Sequence, residues 1–212
     1  MKLSKSASGI LSARYRSVLI KCFLANLTFF PYIVEAATTI SEGPHKNEYL
    51  SDEDSLLIEA GDFSDTDIDA PDITIKGGTH KGGWYDASAA LSIEDGDFSD
   101  VSFRAQNSGS ITISGGTFGA AAFKAGTITL TGGTLDDFVY LDAETISIDS
   151  DKVSFNTIYK SNGLGYNVPE YPLISTWDLK VTGERGISVS DTSISALSVS
   201  EKNHGEQQFF FG

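Results

Sequence analysis

Disulfide chemistry is closed to this chain. Its 212 residues hold one cysteine, Cys22, so neither an internal bridge nor a cysteine-rich metal site can be built. Histidine is almost as scarce, and His45, His80 and His204 stand too far apart to suggest a metal set. Basic residues are in deficit: 15 Lys and Arg face 29 Asp and Glu, leaving a formal charge of -14 and a pI near 4.4. A nucleic-acid binder needs a basic footprint to neutralise phosphates, so that class is excluded. The apolar run over 22–34 is too short for a membrane-spanning helix of ~20 residues, and Lys21 would have to sit in lipid. Also missing are a Gly-x-Ser-x-Gly elbow, a phosphate-binding glycine loop and a His-Glu-x-x-His helix. What the chain does have is 21 glycines against 5 prolines, with 40% hydrophobic residues. That is enough to bury a core in one domain or one repeat array, which excludes wholesale disorder.

Charge is unevenly placed. Before Glu35 there is no acidic residue, while Lys2, Lys5, Arg14, Arg16 and Lys21 are basic. A basic stretch, the apolar run over 22–34 and small residues at Val34 and Ala36 are the three parts of a secretory signal peptide, with cleavage expected between Ala36 and Ala37. Removing the five basic residues and Glu35 leaves 10 basic and 28 acidic residues, a net charge of -18. The mature chain then has no cysteine at all. It must be held by packing and backbone pairing alone.

Internal repetition is the strongest signal. Six segments superimpose, 56–63, 73–80, 91–98, 111–118, 128–135 and 146–153, with starts that are nearly evenly spaced. Each opens with apolar-polar-apolar alternation, which predicts a strand with one buried face. A second alternating strand follows and closes on alanine. The step from Ile58 to Ala70 recurs unchanged from Ile75 to Ala87, Ile93 to Ala105 and Ile113 to Ala125, and length varies mainly after the alanine. A β-sandwich has no reason to keep that step. An all-β parallel solenoid, a β-helix with coils of about 17–20 residues, does, because insertions are tolerated only where a coil bulges outward.

Stacking the coils predicts ladders. Leu56, Ile73, Leu91, Ile111, Ile128 and Ile146 form one core column, and Ile58, Ile75, Ile93, Ile113, Leu130 and Ile148 a second. Ala70, Ala87, Ala105, Ala125 and Ala143 suit a narrow corner. Gly61, Gly78, Gly96, Gly116 and Gly133 suit a turn of positive φ. Phe63, His80, Phe98, Phe118 and Leu135 stack next, with His80 standing in for an aromatic ring.

The Ile111-Thr-Ile-Ser-Gly-Gly-Thr-Phe118 type of repeat behind a long basic leader resembles the β-helical passenger regions of bacterial autotransporters and adhesin-like surface proteins. More broadly it is similar to right-handed, pectin-lyase-like parallel β-helices. The resemblance covers residues 56–158 and the leader, and nothing in the chain can supply the translocator barrel that usually ends such proteins. It implies a protein at the cell surface or outer membrane, or secreted, or held in the periplasm if truncated. The expected role is binding or structural, without catalysis and without a cofactor, and the expected partner is a host-cell or glycan surface. Once cleaved, the chain is expected to be a monomer that is not integral to the membrane. The alternatives are a truncated, non-functional remnant of a larger passenger and, further off, a polysaccharide-active enzyme.

The organisation expected is a signal peptide over 1–36, an N-terminal cap over 37–55, solenoid repeats over 56–158, a loop excursion over 159–178 and terminal strands or a cap over 179–212. Two sets of side chains stand out as sites. Aromatic residues outside the core columns, Trp84, Tyr85, Tyr140, Tyr166, Tyr171 and Trp177, form a candidate binding surface; the plainer expectation is that they cover the end of the stack. Asp69 and Asp86 share an outward column with Arg104, Lys124 and Asp142, and Asp65, Asp67 and Asp100 lie nearby. Carboxylates so placed suit a solvated face first, a calcium site at Asp65, Asp67, Asp69 and Asp86 second, and a glycosidase pair third.

Overall fold

In the computed structural model the described residues are 37–106, 108–136, 138–155, 157–161, 172–191 and 197–199. The leader over 1–36, with Ala36, therefore lies outside them, as do Tyr166, Tyr171, His204 and the chain end over 200–212. Among the described residues there is no helix: the chain winds as parallel strands into a β-solenoid of about six turns.

Each coil feeds two parallel sheets. A long strand bent at the alanine corner, such as Asp67–Ile75, Trp84–Ile93, Ala122–Leu130 and Tyr140–Asp149, runs in a 13-stranded sheet. A short strand, such as Asp62–Ser64, Thr79–Lys81 and Asp97–Ser99, runs in a 7-stranded one. Among the described residues every strand pair is parallel, in ladder register but for one slip. The first core column pairs as Leu56↔Ile73, Ile73↔Leu91, Ile111↔Leu91, Ile111↔Ile128 and Ile128↔Ile146, as the repeats predict. The second column pairs likewise, and the alanine corner pairs at Ala70↔Ala87, Ala105↔Ala87 and Ala125↔Ala143. Length does vary after the alanine: the register slips between Ala70 and Asp72, and one coil breaks its long strand into Ser102–Ala105 and Ser110–Ile113.

Inside the turn, rings stack. His45, Phe63, His80, Phe98 and Phe118 follow one another with centroids 4.9, 4.7, 4.7 and 4.8 Å apart, the strand spacing itself. A second pile faces it: Phe103 lies 4.8 Å from Phe123 at 10°. Edge-on contacts such as Phe98–Phe103 at 5.4 Å and 75° tie the two together. Offset and edge-on pairs of this kind add roughly 0.5–1.5 kcal/mol each beyond area burial.

Three boundaries differ from expectation. The stretch over 37–55 is a coil in its own right, with Ile40↔Ile58, His45↔Phe63 and Leu50↔Ile68 in register. Its polar surface hides the alternation, because at the end of the stack Ile40 and Leu50 are only partly buried. Val153 pairs with Gly133, not with Leu135, since the turn after Ile148 is longer than the turn after Leu130. Of the stretch expected as an excursion over 159–178, the part from Leu173 is a strand: Leu173–Thr182 pairs along its length with Tyr140–Asp149 and continues both core columns through Leu179 and Val181. The strand before it, Thr157–Ser161, lies one spacing further on, between Leu173–Thr182 and Ser188–Asp191. Strand order and chain order part company there.

One corner stores strain in a column. Asn47, Asp65, Gly82, Asp100, Ala120 and Phe138 all have φ between 50° and 68°. The amides of Asn47, Asp65, Gly82 and Asp100 reach the next coil, as in Asp65 N–H to Lys81 O at 2.8 Å and Asp100 N–H to Gly119 O at 3.2 Å. A left-handed conformation costs a residue with a Cβ roughly 1–2 kcal/mol. Ala120 is exposed and gains nothing from its methyl group. Ala120→Gly is therefore expected to stabilise the fold by about 0.5–1 kcal/mol after the entropy of the freer unfolded chain is deducted. A lowered midpoint in chemical denaturation would contradict this.

Candidate functional site

The outward side chains of the long strands form straight columns, because parallel register repeats one position in every coil. One such column opens with Tyr49, Asp67, Trp84, Ser102, Ala122 and Tyr140. Beside it, on the next outward position of each strand, runs Ser51, Asp69, Asp86, Arg104, Lys124 and Asp142. The first three coils of this face therefore place two aromatic rings in one column and carboxylates between and beside them. Tyr49 is 65% exposed and Trp84 66%. They stand two strand spacings apart, ~9.6 Å.

Hydrogen bonds set the carboxylates. The Tyr49 hydroxyl donates to Asp69 at 3.0 Å, and the Trp84 backbone N–H donates to Asp67 at 2.9 Å. The Gln106 amide donates to Asp86 at 3.3 Å. The bond to Asp69, with the charges of Asp69, Asp67 and Asp86, holds the Tyr49 hydroxyl above its ordinary pKa. Further along, Lys124 pairs with Asp142 at 3.2 Å. That contact is exposed and worth under ~1 kcal/mol, and it fits the charge-balance expectation for this part of the column.

The other candidates scatter. Trp84 is on the exposed face as expected, but Tyr85 is not: it is fully buried, aligned with Ile68 and Phe103 in the inward column. Its hydroxyl is satisfied inside, 2.6 Å from His80 Nδ1, while His80 Nε2 lies 3.2 Å from the Gly77 carbonyl. A neutral His80 protonated at Nε2 satisfies both, donating to Gly77 and accepting from Tyr85. Burial drives the His80 pKa down to about 4 and the Tyr85 pKa up. Tyr140 shares the Trp84 column but is half-buried, three spacings away. Trp177 is 63% exposed, at the bend beyond the alanine corner and four spacings from Trp84. These aromatics make no single patch.

The four calcium candidates are not gathered into one set. Among the described residues no three acidic or histidine side chains come together as a metal site. Asp65 sits at the left-handed corner, whereas Asp67, Asp69 and Asp86 are turned to Trp84, Tyr49 and Gln106. Sequence reasoning also missed Tyr49, which lies in the stretch expected to be a cap. The signal was present: Tyr49, Leu50 and Ser51 precede Asp67, Ile68 and Asp69 by the same offset that separates Ile40 from Ile58.

The chain matches no protein-family description, no curated protein and no solved structure.

Proposed function

We propose that this protein is an exported, adhesin-like binding or structural protein of the cell surface or the surrounding medium, with no catalytic role. The observation that carries the reading is the face of Tyr49, Asp67, Asp69, Trp84 and Asp86, where rigid register holds two largely exposed rings at a fixed spacing among oriented carboxylates. Exposed aromatic side chains on a rigid backbone suit recognition, since each offers a large contact area with only two torsions to order on binding. The basic leader followed by an apolar run and small residues supports export. Against catalysis stands the setting of the carboxylates. A general acid of raised pKa wants an apolar, dry surrounding, but Asp69 is exposed and bonded to Tyr49, and Asp86 is bonded to Gln106.

Immobilised chain presented with a glycan array and with whole cells tests this reading. Binding is expected, and Trp84→Ala is expected to weaken it roughly tenfold or more. Trp84 lies outside the core, so the melting curve should not move. Unchanged binding in the Tyr49→Ala/Trp84→Ala double variant would remove this face from the function.

A further inference from the structure

The charge on the same face narrows what it binds. Asp67, Asp69 and Asp86 have no ion-pair partner among the described residues, whose side-chain pairs run His45–Glu48, Lys124–Asp142, Lys152–Asp149 and Lys180–Asp178. The hydrogen bonds they accept come from neutral groups: a phenol, a backbone amide and a carboxamide. Asp67 and Asp69 thus stand uncompensated on one strand, with Asp86 beside them on the next and Arg104 on the far side of Asp86, on a chain whose formal charge is already -14. An anionic polymer would be repelled here. A cation would meet a carboxylate and, on either side, an exposed aromatic ring, the combination that recognises ammonium groups.

The repeat distance argues for the form of the ligand. Backbone N–H and C=O groups of the inner strands are used sideways in the sheet, so along the row a peptide meets side chains only; among the described residues the one open edge of this face is the outer side of Tyr49–Ser51. What the face offers is a straight row with rings two spacings apart, ~9.6 Å, about the reach of two linked sugar rings. We infer that this face binds a linear glycan carrying free amino groups, an amino-sugar polymer, laid along the solenoid axis across the strands. Its ammonium groups sit on Asp67, Asp69 and Asp86, and its sugar rings on Tyr49 and Trp84. The inference rests on the binding role proposed above and adds the ligand class.

The probe is a glucosamine hexasaccharide compared with the fully N-acetylated hexasaccharide of the same length, both titrated into the full-length chain by calorimetry at mildly acidic pH. The free-amine form is expected to bind at least about tenfold tighter, and the preference should shrink as salt is raised. Asp67→Asn/Asp69→Asn/Asp86→Asn should erase the preference, since asparagine keeps an acceptor for the Trp84 N–H, the Tyr49 hydroxyl and the Gln106 amide but carries no charge. Trp84→Ala should weaken both sugars. Equal affinity for the two hexasaccharides overturns the ligand class and leaves the binding role standing. Failure of both sugars, together with no binding to any array glycan or cell, overturns the binding role itself. Polylysine bound as tightly as the free-amine sugar, with no loss in Trp84→Ala, would mean a general polyanion and would also overturn the ligand class.

Discussion

Phe103→Ala will cost this protein about 3–5 kcal/mol, the range for truncating a fully buried phenylalanine. Phe103 is 1% exposed and touches rings from four sides. Phe123 stacks on it at 4.8 Å, Tyr85 leans against it at 5.2 Å, and Phe98 and Phe118 meet it nearly edge-on at 5.4 and 6.4 Å. It is the point where the two ring piles of the solenoid interlock, and the backbone cannot collapse into the gap, since both flanking strands are fixed in register. Phe103→Leu keeps most of the volume and should cost only about 1 kcal/mol. Urea denaturation measures both. In a solenoid each coil contacts only its neighbours, so hydrogen exchange in the alanine variant should rise first in the coils of Tyr85 and Phe123. A loss below ~1 kcal/mol in Phe103→Ala would mean the ring piles do not hold the fold.

Acid will weaken the fold through His80. In the folded state burial lowers its pKa from 6.5 to about 4. The unfolded chain therefore takes up a proton as pH falls through 6.5, while the folded chain does not until about 4. The stability that depends on a neutral His80 is complete above pH 6.5 and lost progressively down to about 4, a total of roughly 3 kcal/mol. His80→Phe alone removes the titration but orphans the buried Tyr85 hydroxyl, at a cost of about 1–3 kcal/mol at neutral pH. The double variant His80→Phe/Tyr85→Phe extends the ring stack and leaves no orphan. Its stability relative to the natural chain is expected to improve by about 2–3 kcal/mol between pH 7 and pH 4.5. Thermal melts of the two proteins at both pH values give this difference directly, with the carboxylates common to both cancelling out. A constant difference across that window would show that His80 does not carry the acid response.

The core columns were legible because each rests on a step that the chain repeats coil after coil. Ile58, Ile75, Ile93 and Ile113 each stand the same distance before an alanine, and that step leaves only one way to stack the coils. The same parity already settles Tyr85, which stands to Ala87 as Phe103 stands to Ala105. Its hydroxyl suggested the surface, because a buried phenol needs a partner and nothing in the sequence couples Tyr85 to His80; only the fold brings Nδ1 to 2.6 Å. The left-handed corner was only partly legible. Asn47, Asp65, Gly82 and Asp100 are of the types that favour positive φ, but Ala120 and Phe138 share the conformation without that signal. The order of Leu173–Thr182 and Thr157–Ser161 depends on which layer a connecting segment returns to, and strand-forming preference is the same in either layer. Of the candidate face, Trp84 and the aspartates follow from alternation, and Tyr49 required recognising that a coil with a polar exterior is still a coil.

A surface role requires export, so the intact mass and cell fraction of the protein in a Gram-negative host test the proposal most directly. A chain beginning at Ala37, found on the outer surface or in the medium, is the expected result. A chain still carrying Met1 and the rest of the leader, retained in the cytoplasm, would contradict it.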